Sequence, residues 1–113
     1  MGQSSAGGSS MTSRQRLPNR RLNETFEVEV AGLKYTATFS RFPDGRVSEL
    51  FLNNHRSNSA ADTSARDAAI TFSIAIQHGA DADVIRRALC RDSQGRASGP
   101  LAAALDAIAG SSS

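Results

Sequence analysis

Residues 25–30, Thr-Phe-Glu-Val-Glu-Val, alternate without a break. Phe26, Val28 and Val30 fall on one side, Glu27 and Glu29 on the other. A period of two is the pattern of a strand with one wet face and does not suit a helix, whose period is 3.6. Ala31-Gly32 separates this run from a second one, in which Leu33, Tyr35, Ala37 and Phe39 share a face opposite Lys34, Thr36, Thr38 and Ser40. A two-residue connector with Gly in its second place suits a tight hairpin. The apolar side of such a hairpin must be covered, so the rest of the chain has to supply the cover.

Pro43-Asp44-Gly45 is the strongest turn signal, since Pro presets φ and Gly accepts a positive φ. Residues 46–53 then read as a third strand. Its faces are ambiguous: Leu50 and Leu52 share one, while Val47 and Phe51 share the other with Glu49. A polar loop, 53–59, precedes a helix predicted over 63–78, capped by Ser59 or Asp62 and ended by Gly79. Ala65, Ala68, Ala69, Phe72, Ala75 and Ile76 form its apolar stripe. Ile70 and Ile74 lie on nearly the opposite side, to be covered by another helix of the chain or by a partner; further helix follows, which favours cover from within. Asp81 caps a short helix to about Arg91, with Val84, Ile85, Ala88 and Leu89 inward and Arg86 and Arg87 outward. Pro100 opens a last helix, with Leu101, Ala104, Leu105 and Ile108 as its stripe and Gly110 at its end. No internal repeat is read in the sequence. The expected fold is α+β, a three-stranded antiparallel meander followed by three helices on one sheet face (β-β-β-α-α-α).

The chain of 113 residues suits one domain. Residues 1–13 hold almost nothing apolar and are expected to be a disordered tail; 1–10 read as a cloning scar or spacer, with Met11 as the natural start. The domain is expected over 14–109, and 110–113 as a second tail. No run reaches the roughly 20 apolar residues of a membrane span. The single cysteine, Cys90, allows no internal disulfide and fits a reducing cytoplasm. The net charge of +2 is unevenly spread. Arg14, Arg16, Arg20 and Arg21 form a basic arm; the other nine basic residues face all eleven acids, which leaves the body at −2. Such an arm is either a solvated segment or a contact for phosphate, hence for a nucleotide or nucleic acid.

The sequence offers no catalytic, cofactor or metal site. His55, His78 and Cys90 are the soft ligands, and no two stand at a metal-binding spacing. Cys90, next to Leu89 near a helix end, reads as half-buried and inert. His78 reads as a cation at a helix C-terminus. Asp62 and Arg66 have the spacing of an ordinary surface pair, with Asp67 beside them. Glu27 and Glu29, joined by Glu49 if it shares their face, make an acidic sheet surface.

Several stretches together resemble a known family. Arg16-Leu17-Pro18-Asn19-Arg20-Arg21 resembles the opening segment of the C-terminal region of vitamin-B12-dependent (class II) ribonucleotide reductases. Phe42-Pro43-Asp44-Gly45-Arg46-Val47-Ser48-Glu49-Leu50-Phe51-Leu52 is similar to that family's turn followed by Gly-Glu-Ile-Phe-Ile. Residues 68–80 look like its helix ending Leu-Gln-Tyr-Gly-Val, and 83–89 fit the helix after it. The module is called TSCPD, after a Thr-Ser-Cys-Pro-Asp motif. Here that place reads Ala97-Ser98-Gly99-Pro100-Leu101, so the motif's proline stays and its cysteine does not. The resemblance implies a stand-alone accessory or regulatory domain in deoxyribonucleotide metabolism. Reduction itself would need a thiyl-forming cysteine and a redox pair, which one cysteine cannot provide. The implied partner is a reductase large subunit, a nucleotide or a second copy, with Ile70 and Ile74 as the protein contact. The alternative is a small nucleic-acid or nucleotide binder acting through Arg14, Arg16, Arg20 and Arg21.

Overall fold

The computed structural model describes residues 23–57 and 59–111. The expected order is present: β1 (Glu24–Val30), β2 (Leu33–Arg41), β3 (Val47–Asn54), α1 (Ala60–Gln77), α2 (Ala82–Ala88) and α3 (Pro100–Ser111). The strands form an antiparallel sheet in the order β1-β2-β3. Alternation decides its faces. Tyr35, Ala37, Phe39, Leu50 and Leu52 are buried under the helices, and Glu27, Glu29 and Phe51 point away from them. From the helix side, Ala65, Ala69, Phe72 and Ile76 of α1 and Ala104, Leu105 and Ile108 of α3 close the core. α1 packs on β3 and α3 on β1.

Val30 pairs with Leu33 across Ala31 and Gly32, which have φ of 55° and 78°. Two consecutive positive φ values match the right-handed twist of the strands.

The ambiguous face of β3 is resolved by a bulge. Ser40 pairs with Glu49 but Arg41 with Val47, so Ser48 is the extra residue. One extra residue inverts the side of everything before it. Val47 therefore turns into the core, whereas Phe51, expected on the same face, is 47% exposed.

Three other expectations are corrected. α2 stops at Ala88, and Cys90 stands in the coil beyond it, exposed instead of half-buried. α2 buries no residue fully; Ile85 and Leu89 are half-covered, while Val84 and Ala88 face out. α3 continues through Gly110 to Ser111, because no residue there adopts the left-handed conformation that would end it. Gly79, with φ of 100°, does end α1 as expected.

One turn recurs. Arg41 to Arg46 and Arg91 to Arg96 both read Arg-x-x-x-Gly-Arg. In each, the second residue's N–H donates to the last carbonyl, Phe42 to Arg46 at 2.7 Å and Asp92 to Arg96 at 2.8 Å. In each, the glycine N–H donates back to the second residue's carbonyl, at 2.9 and 3.0 Å. The first arginine donates Nη1 to the glycine carbonyl, at 2.7 Å from Arg41 and 3.1 Å from Arg91. Gly45 and Gly95 take φ of 96° and 80°, which a side chain would oppose.

Candidate functional site

The outer sheet face carries a polar group that the sequence did not suggest. His55 follows β3 and donates its backbone N–H to the Lys34 carbonyl at 3.0 Å. Its Nε2 lies 3.1 Å from Thr36 Oγ1 and 3.5 Å from Glu27 Oε2. Glu27 and Thr36 are cross-strand partners, so the pairing register brings them to the histidine. A hydroxyl, an imidazole and a carboxylate suggest a catalytic relay, but the geometry is different. In a relay the carboxylate holds one ring nitrogen and the hydroxyl the other. Here both approach Nε2, with His55 and Glu27 exposed and Thr36 half-buried. The group links β1, β2 and the end of β3 on this face; it is not arranged to activate the threonine.

The Asp62–Arg66 pair exists, with Arg66 Nε 3.1 Å from Oδ2, but it is not a surface pair. Asp62 is 5% exposed, and its Oδ1 accepts the N–H of Asn54 at 2.9 Å. Ser73, also buried, accepts the Leu50 N–H at 2.9 Å and donates to the Leu50 carbonyl at 3.0 Å. Gln77 Nε2 donates to the Ser48 carbonyl at 3.4 Å. At about 100° per residue these three side chains fall within about 60° of one another on α1. They form a polar row along the outer edge of β3 and bond the backbone groups that a neighbouring strand would otherwise take. Sequence reading missed this row because a serine or aspartate in a helix looks like a solvent-facing residue.

His78 donates Nδ1–H to the Ile74 carbonyl at 3.0 Å, which fastens the end of α1. Among the described residues no three of His, Cys, Asp and Glu group to hold a metal ion. Asp67 is exposed and lines an open apolar groove with Ala68, Ala75, Ile85, Leu89 and Leu101.

Arg86, expected to point outward, is tied inward instead. Its Nη1 lies 3.3 Å from Asp106 Oδ1, and Nε and Nη2 bond Asp83 at 3.1 and 2.6 Å. Arg91 grips Asp106 with both Nη groups, at 2.7 and 2.8 Å. Hydrogen bonding from Arg91 lowers the Asp106 pKa from its ordinary value; burial pushes back, and Arg86 adds to the lowering. A depressed carboxyl contributes stability that is present above its unfolded pKa, near about 4, and is lost as pH falls through the folded value. Asp106→Asn should cost about 1 kcal/mol at pH 7, in the range for partly exposed bidentate pairs. The difference from the unchanged protein should shrink below pH ~4. Urea midpoints of both proteins at pH 7 and pH 3 measure it; a difference independent of pH removes Asp106 as the sensor. Asp44, Asp83 and Asp92, also lowered, titrate in both proteins and drop out of the comparison.

Ile70 and Ile74 are 48% and 54% exposed, so no other helix of the described chain covers them as the sequence reading favoured. They follow the polar row in helical phase, on the side away from the core. Arg14, Arg16, Arg20 and Arg21 lie outside the described residues. Among the described residues no helix is long and apolar enough to cross a membrane.

Comparison with known proteins adds the following. No family model matches the chain, and no solved structure matches it. The chain is similar to the vitamin B12-dependent ribonucleotide reductase of Agrobacterium fabrum, 35% identical over 66 residues, which is 58% of this chain and 5% of that protein. It is similar to the vitamin B12-dependent ribonucleotide reductase of Bradyrhizobium diazoefficiens, 30% identical over 73 residues, or 65% of this chain and 6% of that protein. More than half of this small α+β chain is thus similar to a short region of vitamin B12-dependent ribonucleotide reductases, about one-twentieth of their length.

Proposed function

We propose that the chain is a TSCPD-like accessory module of ribonucleotide reduction, acting by contact and not by catalysing the reduction itself. Its partner is a reductase large subunit, and its docking face is the exposed side of α1. The carrying observation is the exposure of Ile70 and Ile74, about half each, on the face of α1 turned away from the core and from the edge of β3. Ala65, Ala69, Phe72 and Ile76 face the core; Asp62, Ser73 and Gln77 hold the edge of β3. Two isoleucines one turn apart then remain as an apolar step that a partner can cover. The similarity to a region of B12-dependent reductases supports the choice of partner.

The test uses the full chain and the large subunit of the reductase from the same cell. Ile70→Asp and Ile74→Asp should each weaken capture at least about tenfold, since a charge is forced into an apolar contact. Their unfolding free energies, read from urea denaturation, should change by under about 1 kcal/mol, as for surface substitutions. Capture unchanged by both substitutions, or no capture by the unchanged chain, overturns the reading. A dimer of the chain that Ile70→Asp dissolves would assign the face to a second copy.

A further inference from the structure

Where the β2–β3 turn meets the ends of α1 and α3, the structure holds an open cavity of about 440 Å³. Its floor is apolar: Val47 from β3, Ile76 from α1, and Leu105 and Ile108 from α3. Its rim carries Arg41 and Arg46, from the two ends of the β2–β3 turn, and Arg86 from α2. The residues at the mouth include Gly45, Gly79, Ala80, Ala82 and Ala109, and none of these has a side chain long enough to fill the space. The volume lies within the range of small-molecule sites, and an apolar floor with a few polar groups at the rim is their usual make-up.

The arginines are not equivalent. Arg86 is held in place by Asp83 and Asp106 through Nε, Nη1 and Nη2. Arg41 donates Nη1 to the Gly45 carbonyl, and its guanidinium lies 5.1 Å from the Phe39 ring centroid. Arg46 is different. Its Nε bonds Asp44 at 2.7 Å, and its guanidinium lies 4.8 Å from the Phe42 ring centroid. Among the described residues no bond is made to its Nη groups. The side chain is therefore oriented by one carboxylate and one ring, with its outer donors open. Two aspartates also line the cavity, but both serve the fold: Asp81 accepts the Asp83 N–H at 2.8 Å, and Asp83 holds Arg86 and Arg87. Each of the three guanidinium groups has a carboxylate near it, Glu24 by Arg41, Asp44 by Arg46, and Asp83 and Asp106 by Arg86, so the attraction for an anion rests on the open Nη donors of Arg46 and not on an excess of charge.

We propose that this cavity binds a small organic phosphate, with the phosphate at the Arg46 Nη groups and the apolar body on the floor. A guanidinium edge matches a phosphate through two parallel hydrogen bonds. A phosphate dianion carries more charge and one more acceptor oxygen than a carboxylate, which favours phosphate at this guanidinium edge. The site is separate from the docking face on α1 and does not depend on the reductase reading.

The experiment titrates the full isotope-labelled chain with phenyl phosphate, inorganic phosphate and benzoate, and reads amide shifts by NMR. Phenyl phosphate should move the amides of Gly45, Gly79, Ala80, Ala82 and Ala109 saturably. It should bind about tenfold tighter than inorganic phosphate, since burying a ring contributes that much or more. Arg46→Gln should weaken it at least about fivefold, the loss of one charge-assisted contact. Ala109→Phe, at an exposed helical position, should block the mouth and abolish binding while leaving the fold's spectrum intact. The proposal is overturned if phenyl phosphate causes no saturable shift at these amides or binds Ala109→Phe equally well. Benzoate binding as tightly as phenyl phosphate overturns the choice of phosphate.

Discussion

Phe39→Ala is expected to leave the domain largely unfolded at 37 °C. Phe39 lies on the central strand and is 2% exposed, among the largest side chains buried so completely. Its ring meets Phe26 edge-on, with centroids 5.9 Å apart and planes at 79°. Across the sheet it is registered with Leu50, another fully buried residue, on the face that α1 covers. Truncating a buried phenylalanine costs about 3–5 kcal/mol, part transfer and part unfilled space. A small domain has only about 5–15 kcal/mol in all, and one of this size belongs near the lower end. Phe39→Leu keeps most of the volume and should cost about 1.5 kcal/mol or less. Urea denaturation followed by circular dichroism measures both. A loss under 1 kcal/mol for the alanine variant would mean that the core does not close around this ring.

Asp62→Ala should cost about 3 kcal/mol, an unusual amount for a polar residue in the first turn of a helix. The carboxylate is buried and accepts from the Asn54 backbone N–H and from Arg66 Nε. Its removal leaves a buried backbone donor without its partner, and the penalty for that exceeds the value of an ordinary hydrogen bond. Asp62→Asn keeps an acceptor for Asn54 but loses the charge facing Arg66, so its cost should be roughly half. Amide exchange locates the effect: the Asn54 N–H should exchange much faster in the alanine variant and only modestly faster in the asparagine one. Equal exchange in all three proteins would show that another group protects the edge of β3.

The sheet was legible in the sequence because alternation is a local signal. Phe26, Val28 and Val30, and then Tyr35, Ala37 and Phe39, keep their side whatever the helices do. The helix stripes were legible for the same reason, through Ala65, Ala69, Phe72 and Ile76. What could not be read depended on contacts distant in sequence. Val47 joins the core only because Ser48 is unmatched against β2, and no residue type announces a bulge. Ser73 is buried only because Leu50 presents backbone groups to it from 23 residues away. The cavity rimmed by Arg41, Arg46 and Arg86 collects segments whose nearness is a property of the assembled fold. The end of α2 was misread because its apolar residues continue to Leu89 although the helix does not.

The paired turns at 41–46 and 91–96 bear on how such a sequence can drift. Between the first arginine and the glycine, one holds Phe-Pro-Asp and the other Asp-Ser-Gln, with no residue type shared at any of the three places. The carboxylate that receives the last arginine's N–H and Nε comes from Asp44 in one case and Asp92 in the other, two positions apart in the motif. Backbone bonds, two guanidinium groups and one carboxylate, at either of two places, thus define the loop, while its remaining places vary. Descendants could change the chemistry displayed at either tip and still inherit the same chain path beneath it.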